Sequence, residues 1–235
     1  MQVNKFDLIL LDADGTLFDF DRAEDFALGR TFAHYGFSYD AEVRDSYRTI
    51  NRRLWQDFDQ GKIGKPELLT ARFRRLLDQY GLAADAAACN NYYLEQLAAG
   101  SQLLDGALEV CRRLAGSCFL AIATNGVSGT QKSRLAQSAI RPYIRQIIVS
   151  EDAGFAKPHA GFFEYALRLC GQREKSRTII VGDNLDADIA GGADFGIATC
   201  WYNPAGRPND RCVACDYVIR SLYELPGLIF PADAL

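Results

Sequence analysis

Histidine is nearly absent from this chain. His34 and His159 are the two in 235 residues, and the one cysteine pair at metal spacing, "CVAC" at 212–215, has no second pair to complete a tetrahedral site. Zinc and dithiol chemistry are therefore not expected there. An even cysteine count is also missing. Cys89, Cys111, Cys118, Cys170, Cys200, Cys212 and Cys215 make seven, mostly inside apolar or helical patterns, which suits reduced, buried thiols rather than a disulfide framework. Nor is there a basic excess: 26 Lys and Arg stand against 30 Asp and Glu, a formal charge of −4. The electrostatic footprint of a nucleic-acid polymer binder is lacking, and a small anionic ligand would need local positive groups. No apolar run approaches a membrane span, and "MQVNKFD" enters a strand-like run without the charged leader and apolar core of a signal peptide. The expected setting is cytoplasmic, with no membrane partner; the oligomeric state has no usable signal in the sequence.

What is present is 49% hydrophobic and 24% charged residues, the balance of a globular chain with room for one large domain or one domain carrying an insert. Strand-like apolar runs recur: "FDLILLD" (6–12), "FLAIATN" (119–125), "QIIVSE" (146–151), "TIIVGD" (178–183), "IATCWY" (197–202) and "DYVIRS" (216–221). Helical stretches such as "SGTQKSRLAQSA" (128–139) and "AGFFEYALRLCG" (160–171) lie between them. Runs rich in Ile and Val without polar alternation, separated by helices, predict an α/β fold, a Rossmann-like doubly wound parallel sheet covered on both faces.

Residues 19–102 break the alternation. They hold no strand-like run, only helical spacing, with Val43, Tyr47, Ile50, Leu54 and Phe58 on one stripe and Leu69, Phe73, Leu76 and Tyr80 on another. The expected organisation is an α/β core of residues 1–18 and 103–235 with an all-α insert at 19–102. Asp21 followed by Glu24 predicts a capping box at the entry to the insert, and Ser128 with Gln131 a similar structural pair. At the other end of the chain, Pro226 and Pro231 in "PGLIFPADAL" predict a frayed terminus.

In open parallel sheets the reactive crevice lies beyond the carboxyl ends of the strands, so the residues that follow each apolar run deserve the closest reading. They are Asp12 and Asp14 after the first run, Thr124 in "TNG" after the second, Lys157 in "AKPH" after the third, and Asp183 in "VGDNLDAD", with Asp188 five further on. Two carboxylates at i and i+2 reach the same side of an extended backbone. Held together they repel, and one tends to keep a proton. That pair suits phosphoryl transfer: Asp12 attacks phosphorus to form an aspartyl-phosphate, while Asp14 protonates the departing oxygen and then activates water. Gly15 allows the tight exit turn. A third acid, Asp183, implies a hard divalent cation, Mg2+, bound by oxygen ligands from Asp12, Asp14 and Asp183. Lys157 supplies fixed positive charge, and Thr124 with the backbone N–H groups of Asn125 and Gly126 holds phosphate oxygens. Singly, each residue also fits a turn, a cap or a solvated loop.

Taken in order, "DADGTLFDFD", "ATNG", "AKPH" and "VGDNLDAD" resemble the four motifs of the haloacid dehalogenase-like hydrolase superfamily over nearly the whole chain. The resemblance implies Asp12 as nucleophile, Asp14 as general acid/base and donor of a backbone carbonyl to the metal, Thr124 and Lys157 as phosphate-holding positions, Asp183 as metal ligand and Asp188 as a supporting acid. It implies that the insert is a helical cap that closes over the site. True haloacid dehalogenases lack the second aspartate of the first motif, so Asp14 speaks against that activity. Phosphonatases use a cap lysine, for which Lys62 and Lys65 are present, but the first motif has the phosphatase form.

Substrate choice is expected to lie in the insert. "INRRLWQDFDQGKIGKPELLTARF" (50–73) and "ATCWYN" (198–203) look like bacterial 5'-nucleotidases of this superfamily that act on pyrimidine nucleoside monophosphates. Phe18, Phe20 or Trp55 would stack on a base, and Arg52, Arg53 or Lys62 would steer an anion. Other small phosphomonoesters such as phosphoglycolate or sugar phosphates stay open as substrates, as does phosphoglucomutase-like chemistry. A non-catalytic binding module would be expected to have lost Asp12, Lys157 or Asp183, and none is missing.

Overall fold

The structure, a computed structural model, describes residues 4–230. It divides into two compact units, residues 1–19 with 101–235 and residues 20–100. All six strand-like runs form strands: β1 Leu8–Leu11, β2 Phe119–Thr124, β3 Gln146–Val149, β4 Thr178–Gly182, β5 Ala198–Tyr202 and β6 Tyr217–Ile219. They make one parallel sheet in the order β3-β2-β1-β4-β5-β6. All four residues of β1 are buried, as a central strand covered on both faces requires.

The helices of this unit are α5 Ala107–Ala115, α6 Ser128–Gln137, α7 Ser150–Ala153, α8 Ala160–Leu169, α9 Gly191–Phe195 and α10 Leu225–Ile229, with the insert's four helices numbered before them. Ile9, Leu11, Ile122 and Val181 face one core with Val110, Cys111 and Leu114 of α5. Leu8, Leu10, Ala121 and Ile180 face the other, with Phe162, Phe163 and Ala166 of α8. Strands on one side of β1 run back through β2 to β3, and on the other side forward from β4 to β6. The strand order therefore reverses beside β1, whose last residue, Leu11, lies opposite both Ile122 of β2 and Val181 of β4.

The frayed terminus is not seen as far as residue 230. Pro226 lies in the first turn of α10, where a missing N–H leaves nothing unsatisfied, and Leu225, Pro226 and Ile229 are buried. The Lys5 N–H donates to the Ile229 carbonyl (3.0 Å), tying this end to the start of the chain. Pro231 and the residues after it lie outside the described residues.

The second unit is α1 Phe20–His34, α2 Ala41–Asp59, α3 Lys65–Tyr80 and α4 Ala86–Leu97. Val43, Tyr47, Phe73, Leu76, Cys89 and Tyr93 interlock with Ala27, Leu28 and Phe32 in its core, and Leu54 packs with Leu68 and Ala71 in a smaller cluster. The caps are Asp40, which accepts from the Val43 N–H (3.0 Å), and Asp85, which accepts from the Ala88 N–H (2.7 Å). The expected box at Asp21 fails: α1 already begins at Phe20, and Glu24 is buried, accepting from Arg48 Nε (3.1 Å) and Asn51 Nδ2 (3.2 Å). Of the cysteines, Cys89, Cys111, Cys118, Cys170 and Cys200 are buried and free, Cys215 is partly exposed and Cys212 exposed. Among the described residues no helix is long and apolar enough to cross a membrane.

Candidate active site

Asp12 extends β1 by one rung, its N–H donating to the Val181 carbonyl (2.9 Å), so the carboxylate stands at the carboxyl end of the strand, between β2 and β4. Its side chain is 12% exposed and meets the Lys157 ammonium, Nζ to Oδ1 2.7 Å. Lys157 is buried, and its other two protons go to Asp188 Oδ1 (2.6 Å) and the Ala123 carbonyl (2.6 Å). An ammonium has three protons, and all three have acceptors. Burial lowers the Lys157 pKa, but the Asp12 and Asp188 carboxylates outweigh it and hold the pKa above the ordinary lysine value. Burial pushes the Asp12 pKa well up against the pull of Lys157, with Asp188 and Asp183 adding to the rise.

Lys157 owes its place to the loop after β2. Asn125 clamps its backbone from both sides, Nδ2 donating to the Lys157 carbonyl (2.8 Å) and Oδ1 accepting the Lys157 N–H (2.9 Å). Beside it Thr124 Oγ1 accepts the Gly126 N–H (3.0 Å), which leaves the hydroxyl proton for another acceptor.

Asp183 follows β4. Burial raises its pKa to about 7, with the Asp188 carboxylate adding and Arg207 and Lys157 opposing. Its carbonyl accepts from Trp201 Nε1 (3.2 Å) and Arg207 Nη2 (2.9 Å), and the Arg207 guanidinium lies 3.7 Å from Oδ2. Asp188 sits on the π-helical turn Leu185–Ala190, and its Oδ2 accepts the Asn184 N–H (3.2 Å). Asp12, Asp183 and Asp188 each present one carboxylate oxygen, all within 4.8 Å of one another, the one such acidic, cysteine or histidine group among the described residues. Three hard oxygen donors around one point suit Mg2+, and cysteine and histidine take no part.

Two glycines make this cluster possible. A Cβ on Gly182 would stand 2.1 Å from Asp188 Oδ2 and one on Gly15, whose φ is +79°, 3.1 Å from the Asp183 carboxyl carbon.

Asp14 is the residue expected to offer a metal its backbone carbonyl. Its carboxylate lies outside the acidic group; Oδ2 accepts from Gln131 Nε2 (2.5 Å) and Oδ1 from Arg134 Nη1, both on α6. Asp188, expected as a supporting acid, is the third member of that group. Gln131 is accordingly no capping residue: α6 is preceded by Val127 and has no side-chain cap. Phe18 cannot stack on a base, because it is fully buried beneath the Arg134 guanidinium, 4.7 Å from its ring. The other aromatic and basic candidates lie in the helical unit. Phe20 packs partly buried against its core, Trp55 meets Phe58 edge-on (5.5 Å), Lys62 pairs with Asp57 (3.3 Å), and Arg52 and Arg53 are exposed on α2.

Sequence reasoning missed Asn125 as a clamp, Gln131, Arg134, Arg207 and Gly182. A glycine closing an otherwise Ile- and Val-rich strand is a signal of close approach and could have pointed to Gly182.

A sequence model of the haloacid dehalogenase-like hydrolases matches residues 6–196. YfnB of Bacillus subtilis is 40% identical over 95% of this chain and 95% of its own; its crystal structure, bound to magnesium, superposes with a TM-score of 0.91 at 39% identity, covering 95% and 98%. The pyrimidine 5'-nucleotidase YjjG of Escherichia coli is 34% identical over 96% of this chain and 98% of its own. The pyrimidine 5'-nucleotidase PynA of Streptococcus pneumoniae is 37% identical over 94% and 93%.

Proposed function

The chain belongs to the haloacid dehalogenase-like hydrolase family, and from that premise we propose that it is a Mg2+-dependent phosphatase that removes the 5'-phosphate from (deoxy)pyrimidine nucleoside monophosphates. The observation that carries the phosphatase reading is the buried Asp12–Lys157–Asp188 array at the end of β1, with Asp183 completing an acidic group. The nucleotide part is supported by the names of YjjG and PynA.

Asp12 attacks phosphorus with its carboxylate, the phosphorus–oxygen bond to the leaving group breaks, and Asp14 delivers a proton to the departing oxygen. Asp14 then takes a proton from the water that attacks the aspartyl-phosphate, returning Asp12 and releasing phosphate. Lys157, with its three protons engaged, holds the Asp12 carboxylate in line and acts on the phosphoryl group through its charge. The Thr124 hydroxyl and the Asn125 N–H receive phosphoryl oxygens, while the Gly126 N–H donates to Thr124 Oγ1 and orients that hydroxyl. Asp12, Asp183 and the Asp14 backbone carbonyl would hold the cation, with Asp188 close by; bound there it supplies the charge that offsets the clustered acids and polarises a phosphoryl oxygen. The helical unit, residues 20–100, is assigned the role of a cap that selects the leaving group, with Phe20, Trp55 and Arg52 as its substrate residues.

The test is phosphate release from dUMP, UMP, dTMP, purine nucleotides, sugar phosphates, phosphoglycolate and an aryl phosphate, with Mg2+ and with chelator. Metal-dependent preference for the pyrimidine nucleotides is expected. Equal rates on the sugar phosphates would retain a phosphatase and remove the nucleotidase assignment.

A further inference from the structure

Asp14 is held by residues that no motif of the sequence singles out. Gln131 and Arg134 are three apart on α6 and project from the same helix face. Each takes a different oxygen of the same carboxylate, Gln131 Nε2 on Oδ2 at 2.5 Å and Arg134 Nη1 on Oδ1. A carboxyl group gripped through both oxygens cannot turn about its Cβ–Cγ bond without losing one partner.

The grip is itself rigidly mounted. Arg134 is fully buried, and its guanidinium pairs with Asp14, which is ionised between giving its proton to the leaving group and regaining one from water. Its planar group lies over the ring of Phe18, at 4.7 Å from the centroid. Phe18 in turn is fixed to the same loop, its carbonyl accepting the Gly15 N–H (3.1 Å). Gln131 is 2% exposed and reaches Asp14 across Gly126, where a Cβ would stand 2.3 Å from its Nε2. The glycine of the "TNG" turn thus has a reason in the Gln131 side chain that lies against it. Surface or solvated polar residues would show none of this.

We infer that Gln131 and Arg134 are positioning residues for Asp14, fixing the direction in which its carboxyl group meets the leaving-group oxygen. Neither touches the phosphoryl group in this assignment; both act through Asp14. The inference rests on the reading of Asp14 as general acid, and the experiment separates the two.

Proton delivery matters for an alkoxide leaving group and hardly at all for an acidic phenol. Comparison of kcat/KM for dUMP and for p-nitrophenyl phosphate therefore isolates the step that Asp14 serves. Gln131→Leu removes the donor at nearly constant volume, and Arg134→Lys keeps the charge but removes the planar fork. Each is expected to lower kcat/KM for dUMP by about 10-fold or more, a part of the 10²–10⁴-fold that a general acid contributes, while p-nitrophenyl phosphate changes by less than about 3-fold. In an Asp14→Asn background Gln131→Leu is expected to add nothing further. Should Arg134→Lys fail to fold, Gln131→Leu alone decides. Equal losses on both substrates mean a merely structural role and overturn the inference, as do variants that match the wild type while Asp14→Asn shows the leaving-group dependence. If Asp14→Asn itself treats both substrates alike, the general-acid reading falls and the inference with it.

Discussion

Lys157 carries the electrostatics of the site on one ammonium group. Replacing it with Met leaves the Asp12 and Asp188 carboxylates buried with no cation between them, and Lys157→Met is expected to lose about 3–5 kcal/mol of stability in chemical denaturation as well as turnover. A variant as stable as the wild type would show that the pair is not strained without it. Gly182 tests the geometry without touching a charge. Gly182→Ala forces Asp188 away from Lys157, because no methyl fits 2.1 Å from its Oδ2, and turnover should fall by about 10²-fold with the circular dichroism spectrum unchanged. Unchanged kcat would mean that Asp188 can move without consequence. The residues at strand ends, Asp12, Thr124 and Asp183, were legible because topology alone decides where a strand end points, whereas Lys157 lies in the loop between α7 and α8 and was legible from the "AKPH" motif. Gln131 and Arg134 were not, since a polar pair three apart on a helix reads as solvated face until tertiary packing shows the face to be buried. The partners of the Asp14 carboxylate were hidden for the same reason: they come from a helix more than a hundred residues away.

At the scale of elements, the six strands were readable from apolar runs and the helices of the insert from their stripes, because burial on two faces or one sets those patterns directly. The start of α1 was not, since Glu24 is committed to Arg48 and Asn51 of α2, a contact that spacing within one helix cannot reveal. That contact has a pH signature. Burial raises the Glu24 pKa from 4.5 to about 7, Arg48 opposing, so between those values the unfolded chain binds fewer protons than the folded one. Stability of the helical unit should therefore fall as pH rises from about 4.5 to 7, by about 3 kcal/mol in all, and level off above. Glu24→Gln should flatten the difference between urea unfolding at pH 5 and at pH 8. A wild-type protein that gains stability across this interval would contradict the buried, weakly acidic Glu24.

For the molecule as a whole, the sheet delivers one nucleophile, one charge-holding lysine and one acidic group to the ends of neighbouring strands, and the insertion after β1 leaves that delivery intact because it interrupts a loop rather than the sheet. The α/β class and the family followed from the order of four short motifs, each after a strand. Substrate did not, because the helices that would select it are patterned mainly by their own core, as Tyr47 and Phe73 illustrate. The central claim is that Asp12 becomes phosphorylated in each turnover. It is tested by quenching the enzyme during steady-state hydrolysis of dUMP with Mg2+, reducing with borohydride, and sequencing the peptide that spans residues 6–22 by mass spectrometry. The account predicts homoserine at position 12, absent without substrate, and no turnover from Asp12→Asn. An unmodified Asp12 together with an active Asp12→Asn enzyme would contradict it.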